Sequence, residues 1–236
     1  GQLCRRKTSS LNNTLTRALR TGIKTAIFTA KFNFVPMFSN IPLDGPVVIF
    51  DLEWTAWERS QEQNWSSSYQ EREIVEIGAV KLDGSDGLKE TITFELLVRP
   101  TINPILSQYF TNLTGITQTI LDNEAVSFRD ALTLFEGFVG YDEKIPILCL
   151  SQDAGVLRHN CELNQILCPF ETERFYNVLP EIAAASGRDL SSFSSSNLPE
   201  IFDFPPPANA HRTLGDARCI AESLRLLSGF SSETRH

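Results

Sequence analysis

The run Val47-Val-Ile-Phe50, closed by Asp51-Leu-Glu53, constrains the fold more than any other segment of this chain. A short continuous apolar run bounded by polar signals is consistent with a buried strand. On an extended chain residues two apart share a side, so the carboxylates of Asp51 and Glu53 project together from the strand's end. Two like charges there repel unless a cation sits between them, and the pair makes a hard-oxygen clamp suited to Mg²⁺ or Mn²⁺.

Downstream, the pattern describes one body over residues 44–230, followed by a short tail at 231–236. Ser60 to Arg72 is polar and reads as loop. Glu73 to Leu82 alternates as a second strand, and a Gly/Asp turn at 83–87 leads to a third, Thr91 to Val98. Pro100 and Pro104 punctuate a long connection that includes Leu113-Thr-Gly-Ile116. Helical spacing predicts a helix over Phe128–Val139, and Ile145–Leu150 reads as a buried strand. Further helices are expected from Asp153 to about Leu167 and around Ile182–Ala185, with a Ser/Pro-rich loop at Ser191–Pro207. Leu214, Ala217, Ile220, Ala221, Leu224 and Leu227 mark the clearest helix. Strands first, then helices alternating with strands, describe an α/β layer structure.

Charge divides the chain unevenly. Residues 1–43 hold seven Lys/Arg and no acid, so the net charge of −8 conceals a remainder with 14 basic against 29 acidic residues. The basic leader has the composition of an organelle transit peptide, and a surface helix or an upstream extension would look the same. Met37, the one methionine, sits just before the organised region. A body this acidic lacks the broad basic face of proteins that grip long duplexes. An enzyme that holds a few nucleotides at one end, with metal ions neutralising phosphate, does not need that face. Five scattered cysteines without CxxC pairs argue against a disulfide framework or a cysteine zinc site. No apolar run approaches the roughly 20 residues of a membrane span. The expectation is a soluble cytoplasmic protein with no membrane partner, or an organellar one if the leader is a transit peptide.

Two further segments carry chemistry. His211-Arg-Thr-Leu-Gly-Asp216 opens the last helix, with a histidine in the preceding loop and an aspartate one turn in. The pair can converge on one site, although a first-turn acid is also favourable for the helix dipole alone. Asp153 begins the helix after the Ile145–Leu150 strand, where capping is an equally available role. Together, three elements offer carboxylates at a strand end or a helix start, where the binding crevices of open α/β sheets lie. Two-ion hydrolysis of phosphodiesters needs such a cluster, and an imidazole with reference pKa near 6.5 is a natural base for the attacking water.

The chain resembles the DEDDh family of 3′→5′ exonucleases from Val47 to about Leu227. Val47-Val-Ile-Phe-Asp-Leu-Glu53 looks like the family's first motif, and Arg72-Glu-Ile-Val-Glu-Ile-Gly-Ala-Val80 like its second strand. Leu113-Thr-Gly-Ile116 resembles a family loop, and His211 with Asp216 its last motif. The resemblance implies a ribonuclease H-like fold: a mixed five-stranded sheet with strand 2 antiparallel, flanked by helices. It implies that Asp51, Glu53, Asp153 and Asp216 hold two divalent cations, Mg²⁺ or Mn²⁺, and that His211 is the general base. Leu52, Trp54, Thr55 and Leu113 would pack against the terminal nucleotide. For Trp54 and nearby Trp57, core packing and a stacking platform remain equal readings. Where many members carry the middle aspartate after a His-Asn pair, here His159-Asn160 points to Asn164, which would suggest impaired catalysis. Asp153 is the preferred position. The implied activity releases nucleoside 5′-monophosphates from the 3′ end of single-stranded DNA or RNA, with short oligonucleotides as another possible substrate. A catalytically impaired binding module of the same fold is the alternative. A homodimer or a larger polymerase or RNA-processing complex is compatible with either.

Overall fold

Side chains of β1 (Pro46–Trp54) alternate between two helical layers, which is why its apolar run is continuous. Val47 and Ile49 join Leu148, Ile182, Ile220 and Leu224 on one face. Val48, Phe50 and Leu52 join Phe135, Val139, Val156 and Leu157 on the other. Each such side chain contributes roughly 1.5–3 kcal/mol on full burial. The run is therefore held at the centre of the molecule.

The structure, a computed structural model, describes residues 38–208 and 212–229. The basic stretch before residue 38, His211 and the tail lie outside the described residues. Around β1 the sheet adds β2 (Ile74–Asp83), β3 (Lys89–Leu97), β4 (Ile147–Cys149) and β5 (Phe175–Asn177), in the order β3-β2-β1-β4-β5. β2 runs antiparallel to both β1 and β3, while β4 is parallel to β1 and β5. This is the mixed ribonuclease H-like sheet with its second strand reversed. Phe38 and Ile41, which composition assigned to the leader, pack into the core beside β1.

Helices α1 (Gln108–Thr114) and α2 (Gln118–Glu124) cover a smaller core over Val75 and Leu97. α3 (Phe128–Val139) and α4 (Asp153–Leu163) cover one sheet face. α5 (Leu179–Ser186), the short α6 (Leu198–Phe202) and α7 (Thr213–Leu227) cover the other. α1 and α2 occupy the stretch expected to be a plain connection. Their start signals are local: Ser107 and Thr117 accept hydrogen bonds from the N–H groups of Phe110 and Ile120, and Gly115 ends α1 at φ +74°. α4 stops at Leu163 rather than Leu167 because the chain turns at Asn164 and enters the left-handed region at Gln165. A similar turn at Ser151 (φ +74°), whose N–H donates to Asn177 Oδ1 at 2.8 Å, makes the short link from β4 to Asp153 possible.

The first turn of α7 lies directly on β2 at Gly78, where a Cβ would overlap the Leu214 amide and Thr213. Overpacking of this kind costs typically about 1–3 kcal/mol. Gly78→Ala should lower the melting temperature by several degrees, at roughly 2–4 °C per kcal/mol for a domain of this size. It should also weaken the stabilisation given by Mn²⁺, because Asp216 sits in that same turn. Thermal scans with and without the ion measure both, and a variant indistinguishable from wild type would mean the close approach is unnecessary.

Candidate active site

The C-terminal end of β1 presents Asp51 and Glu53 toward α7, and the first turn of α7 presents Asp216 back. Carboxylate oxygens of the three lie within 4.8 Å of one another. Asp153, the first residue of α4, arrives from the opposite helical layer and accepts the Leu52 N–H on Oδ1 at 3.1 Å. All four acids line one cavity of about 310 Å³. Leu52, Trp54 and Leu113 form part of its walls, with Leu113 52% exposed on α1. Trp54 packs against the core and also lines the cavity.

The scaffold behind these residues is polar and specific. Glu76, fully buried in β2, accepts hydrogen bonds from the Arg212 guanidinium on both oxygens and from the Thr213 N–H at 3.2 Å. The start of α7 is thereby fixed to β2 two residues from Gly78. Asn160 fastens α4 to the start of β2, accepting from Ile74 N at 2.9 Å and donating to Arg72 O at 2.8 Å. His159 pairs with Glu71 at 2.6 Å and is not among the cavity residues. Asn164 caps the far end of α4, donating to Asn160 O at 2.9 Å, whereas Asp153 at its near end reaches the cavity.

Thr55 departs from expectation. It is 3% exposed, its hydroxyl donates to Glu71 O and accepts from Glu73 N at 3.0 Å, and it is absent from the cavity wall. Thr55 lies just beyond the end of β1 at Trp54, and its hydroxyl is committed to the backbone of Glu71 and Glu73 on the incoming segment. His211 lies outside the described residues; its neighbour Arg212 is the one held by Glu76. Sequence reasoning also missed cavity residues. Tyr109 lay inside the stretch read as connection, and Trp65 inside a polar loop. Phe193 and Ser194–Ser196 belong to the Ser/Pro-rich segment, yet they line the wall, where the Ser195 side chain lowers the pKa of Asp51. Composition read that segment as loop throughout, whereas it contains α6 (Leu198–Phe202), and composition held no signal of where it returns.

Burial, and after it the crowding of acids, sets the electrostatics. Burial first, then the charges of Asp153, Asp216 and Glu53, push Asp51 well above the ordinary carboxylate range, with Ser195 pulling the other way. Burial and Asp216 raise Glu53 to about 8, and burial raises Asp153 to about 7 against the lowering effect of the Leu52 N–H bond. Hard oxygen donors that repel one another in a confined space fit a divalent cation. Without the ion, the native state holds its protons more tightly than the unfolded chain, whose carboxyls titrate near 4. The contribution of these groups to native stability is then fully present below about pH 4 and is lost as pH rises through 7 and 8, by the sign of proton linkage. Thermal unfolding in a chelator should show that decline for wild type and a smaller one for Asp51→Asn, while saturating Mg²⁺ flattens it. A chelated protein whose stability rises from pH 5 to 8 would contradict the arrangement.

Comparisons with known proteins agree with this geometry. A family model described as Exonuclease (RNase_T) matches residues 48–224. ERI1 exoribonuclease 2 of Xenopus laevis is 33% identical over 93 residues, covering 39% of this chain and 12% of that protein. The 3′-5′ exonuclease Snipper of Drosophila melanogaster is 35% identical over 89 residues, 38% of this chain and 30% of that protein. The chain therefore spans less than a third of the length of these relatives. Among solved structures, the nuclease domain of 3′hExo, a DEDDh family member bound to rAMP, superimposes with a TM-score of 0.66 at 22% identity, covering 83% of this chain and 97% of that one. Cell-death related nuclease 4 (CRN-4) gives 0.64 at 20% identity, over 81% and 66% of the two chains. With a matched region that runs from β1 into α7 and contains all four clustered acids, the chain belongs to the RNase_T exonuclease family.

Proposed function

We propose that this chain is a metal-dependent exonuclease that removes nucleotides one at a time from the 3′ end of single-stranded DNA or RNA, releasing nucleoside 5′-monophosphates. The observation that carries the reading is the meeting of Asp51, Glu53 and Asp216 at the floor of a cavity, with Asp153 beside them. Family membership supports the reaction class, and the donor chemistry supports two Mg²⁺ or Mn²⁺ ions held by these four carboxylates. When bound, such ions lower the pKa of water and neutralise charge on the leaving oxygen.

The chain's own residues supply the rest. Leu52, Trp54 and Leu113 offer apolar and aromatic surface for the terminal nucleoside at the cavity wall. Apolar contact to a base is tolerant of sequence, as an enzyme that degrades any strand requires. His211, by the resemblance of its motif, takes the proton from the attacking water. The Glu76–Arg212 pair, one residue away, anchors the chain on which it is carried.

The test is degradation of 5′-labelled single strands of DNA and RNA with Mg²⁺ or Mn²⁺. Wild type should give a ladder shortening from the 3′ end. Asp51→Ala should reduce the rate by more than the roughly 10–100-fold that loss of an outer-shell partner costs. His211→Ala should reduce turnover by about 10²–10⁴-fold while leaving metal affinity close to wild type. Internal cuts, release of the labelled 5′ nucleotide first, or full activity in Asp51→Ala would each refute the proposal.

A further inference from the structure

The cavity has a second aromatic surface that the terminal nucleotide does not account for. Trp65 lines the same cavity as Asp51 and Trp54, on the segment that loops out between β1 and β2. Its ring is fixed in place: the indole Nε1 donates to Thr55 O at 2.9 Å, and its backbone N–H donates to Ser60 O at 2.9 Å. Its φ of +51° is one that a bulky residue adopts only where surrounding structure holds it. The Trp54 and Trp65 rings stand 6.1 Å apart and tilted by 58°, so they present two differently oriented faces rather than one stack.

Arg72 completes the feature. Its guanidinium lies 5.5 Å from the centre of the Trp65 ring, and Nη1 donates to Gln152 Oε1 at 3.1 Å. Gln152 lines the cavity immediately before Asp153. Among the described residues Arg72 enters no ion pair, although the domain has an excess of acid and adjacent Glu71 is engaged by His159. A cation held against an aromatic face beside an acidic cavity matches the chemistry of a nucleotide unit: the ring takes the base, and the planar guanidinium takes a phosphate.

We infer that Trp65 and Arg72 form a second binding position, for the base and phosphate of the nucleotide preceding the 3′-terminal one. The inference rests on the exonuclease reading for the direction in which the strand enters. Under it, the protein holds at least two nucleotides, and substrates with one nucleoside lose the contribution of this position.

The experiment compares a 5′-fluorescein-labelled single-stranded oligonucleotide with the p-nitrophenyl ester of thymidine 5′-monophosphate, which has no second nucleoside. Trp65→Ala should raise KM for the oligonucleotide by about tenfold or more, the range expected for loss of one stacked base. That loss should exceed any loss on the ester at least about fivefold. Trp65→Phe, which keeps an aromatic face but loses the Nε1 bond, should recover most of the oligonucleotide affinity. Arg72→Gln should lower the salt slope of oligonucleotide binding, read by fluorescence polarisation in a chelator, by about one unit. Equal losses on both substrates, or Trp65→Phe as poor as Trp65→Ala, would assign Trp65 to support of the fold and overturn the inference. So would unchanged oligonucleotide kinetics in Trp65→Ala. Wild type that cleaves neither substrate would sink the exonuclease reading, and the polarisation measurements on the same variants would then decide the binding position separately.

Discussion

Repulsion among buried carboxylates is the constraint around which this molecule is arranged. Removing an ionised carboxylate from water costs several kcal/mol even after relaxation, and here three have oxygens within 4.8 Å of one another. An unconstrained chain would relieve that strain by separating the acids. The fold prevents separation by giving each acid a different element as its base: β1 for Asp51 and Glu53, α4 for Asp153, α7 for Asp216. What remains to relieve the repulsion is protonation or a cation. The raised positions of Asp51, Glu53 and Asp153 express the first, and the hard-oxygen donor set invites the second.

Holding the elements together falls to a few ties, most of which do not themselves line the cavity. Gly78 lets α7 lie against β2 without a side chain between them, and Glu76 clamps Arg212 and the Thr213 amide beside it. On the other layer, Asn160 joins α4 to the start of β2, and the Leu52 N–H takes Asp153 directly. Glu73 extends the same logic outward. Its carboxylate accepts the N–H groups of Thr101, Ile102 and Asn103, ordering the connection that leads to α1 and hence to Tyr109 and Leu113. β2 and Glu73 just before it thus contribute no cavity residue while organising three of the segments that do.

The central strand and last helix were legible because burial imposes a period on sequence. β1 reads as a continuous apolar run since both of its faces are covered, and α7 repeats its apolar residues at helical spacing. Asp51 and Glu53 were visible for the same reason, as charges where an apolar run stops. What escaped was decided by short-range geometry or by long-range return. β5 has three residues, too few for alternation to register. α1 and α2 were betrayed only by Ser107, Thr117 and Gly115, signals overshadowed by the prolines nearby. Thr55 was placed beside the nucleotide by resemblance alone, and no local signal shows that its hydroxyl is taken by Glu71 and Glu73. Glu76 offered a usable clue: an acid on the same strand face as Gly78 and Val80 must have a partner, and Arg212 lies 136 residues away in sequence. Nothing local announces that Ser195 comes back to Asp51.

An acidic body that binds a polyanion needs its affinity to be supplied locally. Long-range attraction is unfavourable here, since acids outnumber bases two to one beyond the leader. Under the proposed function, cations bound at the carboxylates would reverse the sign of the field there, so that strand binding and metal binding would be thermodynamically linked and each would strengthen the other. The walls would then act without charge, through Trp54 and Leu113, while Arg72 holds one positive group against Trp65 and Gln152, both of which line the cavity. Under the proposed function, such a distribution would favour a free end that can enter the cavity, because the contacts and the cations are both gathered there.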